Sequence, residues 1–179
     1  LPPLSLYIHL PWCIKKCPYC DFNSHEWSAT SQPGQALPEQ AYLDALRADL
    51  TSALPLIWGR TVHSVFIGGG TPSLFSPEAI DRLLGDVRAL VRLTPDAEIT
   101  LEANPGTFEV DRFRAFAQAG VTRLSIGVQS FNDAHLKALG RVHDRAQALA
   151  AVNEAAKSFD TFNLDIMYAL PGQSLADCD

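Results

Sequence analysis

The sequence has no apolar run near the roughly 20 residues that a bilayer-spanning helix needs, and it has no basic-then-apolar secretory signal at its N-terminus. It also has no excess of positive charge, because 14 Lys and Arg stand against 20 Asp and Glu. Broad electrostatic binding of nucleic acid or anionic lipid needs clustered basic residues. We therefore expect a soluble cytoplasmic protein with no transmembrane segment and no nucleic-acid partner.

Cysteine is scarce and unevenly placed. Three of the four cysteines, Cys13, Cys17 and Cys20, lie within eight residues, and Cys178 follows 158 positions later. A disulfide framework in a small secreted protein spaces its cysteines along the chain. This distribution instead predicts a metal site in the first loop, with Cys178 as an ordinary thiol.

The chain has no polar low-complexity tract, and 47% of its residues are hydrophobic, which is enough for a globular core. Apolar segments predict five buried strands at 4–10, 61–67, 97–103, 123–128 and 162–168. Helical periodicity predicts helices at 39–54, 77–91, 110–119, 133–139 and 145–158. Ser76 and Pro77 mark the start of the second helix, and Gly120 marks the end of the third.

Strands that alternate with helices predict right-handed crossovers and a parallel α/β sheet, either open or curled into a barrel. In both architectures ligands bind at the carboxyl ends of the strands. The unusual residues of this sequence fall at those ends, namely the cysteine segment 13–20, the glycine segment 68–71, Glu102, Gln129 and Asp165. We expect them to meet at one edge of the sheet.

The cysteine loop has the spacing CxxxCxxC directly after the first strand. Three thiolates on one loop can hold an iron-sulfur cubane and leave its fourth iron open to a ligand. Two other interpretations are structural zinc, which would need a fourth ligand such as His25, and a redox-active CxxC thiol pair.

The glycine segment, Gly68 to Thr71, lacks side chains that would keep backbone groups away from a ligand, and it lacks the lysine of a phosphate-binding loop. Glu102 and Asp165 stand late in apolar strands, where a buried carboxylate needs a partner. Ligand contact and structural hydrogen bonding are about equally good explanations for either residue alone. Their shared position at one end of the sheet favours ligand contact.

Several motifs together resemble the oxygen-independent coproporphyrinogen III oxidase family of radical S-adenosylmethionine (SAM) proteins. They are YIHLPW at 7–12, the cysteine loop with Tyr19 before its third cysteine, GGGTPSL at 68–74, LEANPG at 101–106, RLSIGVQSF at 123–131, LGRVH at 139–143 and NLDIMYALPGQ at 163–173. The resemblance covers essentially the whole chain. It implies that Cys13, Cys17 and Cys20 hold a 4Fe-4S cluster that binds SAM.

The resemblance also implies a fold and a set of cofactor contacts. Residues 1–179 would form the N-terminal portion of a partial six-stranded (βα) barrel, the radical SAM core domain, ending after its fifth strand. The residues implied in SAM binding are Tyr7, Tyr19, Gly69 and Glu102 at the cluster and Gly70, Thr71, Gln129, Arg141 and Asp165 at a second SAM site. His9 matches a histidine near the family's cluster, with a role in substrate contact, haem contact or loop support.

Two branches of the family compete, an oxidative decarboxylase of coproporphyrinogen III and a haem chaperone of the HemW type. The decarboxylase carries a further cysteine two residues after the third, whereas this chain has Phe22 there. The resemblance therefore favours a chaperone that binds haem as cargo and passes it to acceptor haem proteins, such as respiratory enzymes at the membrane.

Overall fold

The computed structural model describes residues 1–27, 33–106 and 110–178, and a parallel sheet organises them. The strands are β1 (Leu4–Leu10), β2 (Trp12–Cys13), β3 (His25–Glu26), β4 (Val62–Gly69), β5 (Leu93–Ala103), β6 (Arg123–Gln129) and β7 (Thr161–Ile166). The helices are α1 (Glu39–Ile57), α2 (Pro77–Leu90), α3 (Phe113–Ala119), α4 (Asp133–Ala138) and α5 (Arg145–Ser158), with short 3-10 turns at Pro72–Leu74 and Leu175–Cys178.

The strand order is sequential. The main sheet runs β1-β4-β5-β6-β7, and every neighbouring pair is parallel. Helix α1 packs on α2, α2 on α3 and α3 on α5, so these four helices form one layer. A doubly wound sheet would reverse its strand order and place helices on both faces. The expected parallel α/β fold is confirmed, and its winding is that of a barrel.

The two faces of the main sheet differ in chemistry because successive side chains of a strand point in opposite directions. The face under the helices is apolar, and its fully buried members include Ile67, Leu101, Leu124 and Ile126. The other face, which we call the inner face, carries mostly polar side chains. They are Tyr7, His9, Ser64, Glu98, Thr100, Glu102, Arg123, Ser125, Asn163 and Asp165.

Several predicted boundaries match the structure. Strand β1 and helix α5 have the predicted limits. Ser76 caps α2, because its side chain accepts a hydrogen bond from the Ala79 N–H at 3.2 Å. Gly120 ends α3 with a left-handed φ of 105°, a conformation that glycine adopts without strain.

Other boundaries were wrong for local reasons. Strand β5 begins at Leu93, four residues before its predicted start, because Leu93 pairs with Val62 and extends the sheet through Pro95. Helix α1 continues past the predicted end at residue 54 and includes Pro55, which lies in its last turn. It ends before Trp58, whose φ is 54°.

The remaining differences are one to three residues long. Strand β4 continues to Gly69, α2 stops at Leu90, α3 begins at Phe113, α4 stops at Ala138, β6 includes Gln129, and β7 covers Thr161–Ile166. Before α3, the Val110 N–H donates to the Gly106 carbonyl at 3.1 Å. Strands β2 and β3 were not predicted, since two residues are too short to show a periodicity. No helix in the described part of the chain is long and apolar enough to cross a membrane.

Candidate functional site

A cleft lies between the cysteine loop and the carboxyl ends of β4 to β7, and its volume is about 150 Å³. Eleven of the thirteen predicted site residues line it, namely Cys13, Cys17, Tyr19, Cys20, Gly69, Gly70, Thr71, Glu102, Gln129, Arg141 and Asp165. Tyr7 and His9 line a neighbouring cavity against α1 instead. The expected convergence at one edge of the sheet is therefore present, and the roles of these residues in cofactor binding stay predictions.

Backbone hydrogen bonds fix the cysteine loop. Cys13 lies in the short strand β2, which pairs with β3 on the far side of the loop. The Trp27 N–H donates to the Cys13 carbonyl at 2.8 Å, and the Cys20 N–H donates to the Cys17 carbonyl at 3.1 Å. The loop thus begins and ends on one ladder, which sets the positions of the cysteines between its two arms.

Lys16 and Ser24 stabilise the same loop, and sequence reasoning did not single them out. The Lys16 ammonium donates to the carbonyls of Phe22 at 3.0 Å and Ser24 at 3.2 Å. Ser24 is buried, and its hydroxyl lies 3.7 Å from the Cys20 Sγ. Lysine and serine are common on protein surfaces, so their types gave no signal of these contacts.

The thiols differ in exposure. Cys13 is buried, whereas Cys17 and Cys20 are half-buried. Burial raises the pKa of Cys13, while the Thr71 and Ser24 hydroxyls oppose that rise by hydrogen bonding to the thiol. Among residues 1–27, 33–106 and 110–178, no group of three His, Cys, Asp or Glu side chains could hold a single metal ion. A cubane binds each cysteine through a separate iron.

The glycine segment packs closely on the cysteine loop. A Cβ on Gly70 would lie 2.7 Å from the Trp12 carbonyl oxygen and 2.8 Å from that of Pro11. The Gly70 N–H donates to the Leu10 carbonyl, and the Thr71 N–H to the Trp12 carbonyl, both at 2.8 Å. Gly70 therefore has to be glycine because of the backbone beside it, a reason that the sequence did not reveal.

Gly69 and Glu102 form a second link at the site. The Gly69 N–H donates to the Glu102 Oε2 at 3.0 Å, which supplies the partner predicted for this carboxylate. Burial raises the pKa of Glu102 above its ordinary value, and the nearby Asp165 raises it further. The Gly69 N–H and His9 act in the opposite direction. Glu102 thus lies at the cleft with an increased tendency to bind a proton.

Tyr7 and His9 form a hydrogen-bonded pair on the inner face. The Tyr7 hydroxyl lies 2.9 Å from His9 Nδ1, and His9 Nε2 lies 2.8 Å from the Asn23 carbonyl oxygen. A carbonyl only accepts, so Nε2 carries the proton and Nδ1 accepts from Tyr7. Both ring nitrogens of His9 are engaged, and this pattern corresponds to the loop-support role among those considered for it.

Gln129 and Asp165 lie at the ends of adjacent strands. Gln129 has a φ of 66°. This conformation is uncommon for residues other than glycine, and it often occurs at functional sites. The Asp165 carboxylate accepts hydrogen bonds from the Ser125 hydroxyl at 3.1 Å and from the Asn163 amide at 2.9 Å. Asp165 is exposed and lines the cleft. The two hydrogen bonds fix the orientation of its carboxylate there.

Arg141 reaches the cysteine loop from the turn after α4. Its Nη1 lies 3.5 Å from the Cys17 Sγ, and its Nη2 donates to the Gly127 carbonyl at 2.8 Å. The side chain of Tyr19 also interacts with Cys17 and Arg141. The guanidinium therefore places a fixed positive charge beside the Cys17 sulfur.

Asn104 and His143 belong to the same region, and sequence reasoning named neither as a site residue. Asn104 lines the cleft and bonds to both Thr71 and Arg141. His143 is buried behind β6, where its Nε2 lies 3.1 Å from the Val128 carbonyl. Both residues lie in motifs that carry the family resemblance, LEANPG and LGRVH, but position within a motif does not distinguish them from their neighbours.

The donor set fits a 4Fe-4S cluster with bound SAM. Three thiols line one cleft, and hydrogen-bond donors stand at the sulfurs. The glycine segment lines the same cleft at Gly69 and Gly70. Two carboxylates, Glu102 and Asp165, line the cleft as well, and they can accept hydrogen bonds from amino and hydroxyl groups.

Comparison with known proteins gives consistent matches. The family model described as the radical SAM superfamily matches residues 7–179. A heme chaperone HemW from Haemophilus influenzae is 52% identical over 182 aligned residues, which cover 99% of this chain and 46% of that protein. The Escherichia coli heme chaperone HemW is also 52% identical, with the same two coverages.

A solved structure also matches closely. Coproporphyrinogen III oxidase HemN from Escherichia coli, described as a radical SAM enzyme, has a TM-score of 0.85 and 34% sequence identity. The match covers 98% of this chain and 39% of the HemN chain. The chain thus spans about half the length of the curated relatives it matches.

Proposed function

Because this chain belongs to the radical SAM superfamily, which implies a 4Fe-4S cluster and SAM, we propose that it is the cofactor-binding core of a cytoplasmic haem chaperone. In this proposal residues 1–179 form the radical SAM core domain. The protein binds haem as cargo and transfers it to acceptor haem proteins, including respiratory enzymes at the membrane. No catalytic residue is assigned.

The cluster and SAM would be held by the residues of the cleft. Cys13, Cys17 and Cys20 would ligate the cluster, and Gly69 and Glu102 would bind the SAM at its open iron. When bound, the cluster supplies a Lewis-acidic iron for the methionyl group of SAM and a source of single electrons. The chain's own contribution is to position the thiols, present Glu102 and hold Arg141 beside Cys17.

Phe22 is the observation that carries the choice between the two branches. It stands where the decarboxylase branch has a further cysteine, and in the structure its side chain lines the cleft beside the thiols. Phe22 is 60% exposed. An exposed aromatic ring at this position offers stacking surface for a planar macrocycle in place of a thiol. The relatives named heme chaperone HemW support the same choice.

The rim of the cleft supports haem as the cargo. Ile14 and Val142 are both exposed, and they line a small recess next to the cleft together with Lys15 and Arg141. Haem combines an apolar ring with two propionates, so exposed apolar side chains beside cationic ones match its chemistry.

The test uses the natural protein, reconstituted anaerobically with iron and sulfide. We expect haem titration to saturate near one equivalent, Phe22→Ala to weaken haem binding several-fold, and Phe66→Ala, on the inner face away from the cleft lining, to bind haem as the wild type does. The absence of haem binding would overturn the proposal. So would robust conversion of coproporphyrinogen III to protoporphyrinogen by the same sample.

The second candidate function is oxygen-independent coproporphyrinogen III dehydrogenation by oxidative decarboxylation. It is favoured by the TM-score of 0.85 to a solved structure of that activity. The decarboxylation assay separates the candidates, because only the dehydrogenase releases carbon dioxide from the propionate side chains of the porphyrinogen.

A further inference from the structure

Two of the cysteine thiols have hydrogen-bond donors that come from distant parts of the chain. Arg141 Nη1 lies 3.5 Å from the Cys17 Sγ. The Thr71 hydroxyl is in hydrogen-bonding position to the Cys13 thiol. Neither donor lies on the cysteine loop, so its placement depends on whatever holds it at the carboxyl ends of the strands.

Asn104 contacts both donors. Its Nδ2 donates to the Thr71 Oγ1 at 2.9 Å, and its Oδ1 accepts from the Arg141 Nη2 at 2.6 Å. Its own backbone N–H donates to the Ser73 Oγ at 3.3 Å, which ties the residue to the glycine segment. The Arg141 guanidinium can only donate, and the Thr71 oxygen accepts the amide proton. The two bonds therefore fix the orientation of the Asn104 carboxamide.

The two bonds have different effects on the thiols. The amide proton occupies a lone pair of the Thr71 oxygen, which directs the hydroxyl proton toward Cys13. The amide oxygen holds the guanidinium against Cys17, and the Gly127 carbonyl bonds the same Nη2 at 2.8 Å. Hydrogen bonds to cluster sulfurs stabilise the reduced, more negative state and so raise the reduction potential.

We propose that Asn104 is a positioning residue that sets the hydrogen bonds to Cys13 and Cys17 and thereby the reduction potential of the cluster. The inference rests on the cluster of the proposed function. Asn104 touches neither thiol in this role, and it acts through Thr71 and Arg141.

The experiment is a potentiometric titration of the reconstituted natural protein without SAM, followed by electron paramagnetic resonance of the reduced cluster. We expect Asn104→Leu to lower the midpoint potential of the cluster by about 59 mV. For a one-electron couple this is about a tenfold lower ratio of reduced to oxidised cluster at a fixed potential. The matched control is Asn153→Leu on the exposed face of α5, which should leave the midpoint unchanged. An unchanged midpoint in Asn104→Leu overturns the inference.

A second variant keeps the test decisive if Asn104→Leu loses the cluster. Thr71→Val removes the donor to Cys13 with little change of shape, and we expect a smaller fall in the same direction. Where Asn104→Leu keeps its cluster, the fall in the double variant should be smaller than the sum of the two single falls, because part of the effect of Asn104 passes through Thr71. A wild-type midpoint in Thr71→Val, or full additivity, contradicts the positioning role. A wild-type protein that binds no cluster overturns the proposed function as well, whereas a normal cluster with unshifted variants overturns only the inference.

Discussion

At the scale of single residues, His143 combines burial with an unusually low pKa. It is 4% exposed, and no hydrogen-bond partner of its Nδ1 is found among the described residues. Burial, reinforced by the nearby Arg141, lowers the pKa of His143 from 6.5 to about 4. The native state therefore holds a neutral imidazole at neutral pH.

This protonation predicts a pH-dependent stability. The pKa in the folded state is below that in the unfolded state, so the unfolded state binds more protons between pH 6.5 and about 4. The stabilising contribution is complete above pH 6.5 and is lost as the pH falls toward 4. In the wild type we expect the free energy of unfolding to fall by about 3 kcal/mol across this window. His143→Gln should abolish that fall, measured by urea unfolding of the cluster-free protein.

The control for that measurement is His63→Gln, since His63 lies exposed on β4. It should keep the wild-type slope of stability against pH. Equal slopes for His143→Gln and the wild type would contradict the prediction.

Single-residue chemistry could be predicted from the sequence where it was visible locally. Glu102 and Asp165 drew attention because carboxylates are costly within apolar strands. Arg141 and Cys17 are 124 positions apart in the sequence. Their contact depends on the pairing of the four strands β1, β4, β5 and β6 in the sheet. No local pattern carries that information, so the donors at the thiols were found only in the structure.

At the scale of elements, the glycine segment and helix α2 give a matched pair of glycine substitutions. A Cβ at Gly70 would meet backbone atoms of Pro11 and Trp12, which cannot move without displacing the cysteine loop. A Cβ at Gly85, inside α2, would meet nothing within 4 Å. The same chemical change therefore has opposite consequences.

We expect Gly70→Ala to lower the free energy of unfolding by about 1–3 kcal/mol, the usual cost of overpacking. Gly85→Ala should raise it by about 0.5–1 kcal/mol, because alanine favours the helix. Thermal and urea unfolding of the cluster-free proteins measure both. Equal stability of the two variants would mean that the glycine segment can move away from the loop.

The elements themselves could be predicted to different extents. Helix α5 and strand β1 matched because a full hydrophobic period lies within each. The start of β5 was wrong since Leu93 joins the sheet by pairing with Val62, a tertiary contact. Strands β2 and β3 exist only as a pair, and neither has a signal of its own.

At the scale of the whole molecule, the three-cysteine loop should account for all cluster binding. We expect Cys13→Ala, Cys17→Ala and Cys20→Ala each to lose most of the iron and acid-labile sulfide after reconstitution, since each would supply one ligand. Cys178→Ala should retain the wild-type content. Its side chain lies outside the described residues, so its role as an ordinary thiol stays a prediction. A loop variant with full cluster content would contradict the ligand assignment.

The bond between Arg141 and Cys17 also has a consequence in time. A ribosome that adds roughly 5–20 residues per second needs about 6 to 25 s to cover 124 positions. For that interval the nascent chain displays its thiols without the cation that later stands beside them. Cys17 is then open to oxidation and to stray metal ions, and cluster loading in the finished geometry has to follow synthesis of the turn after α4.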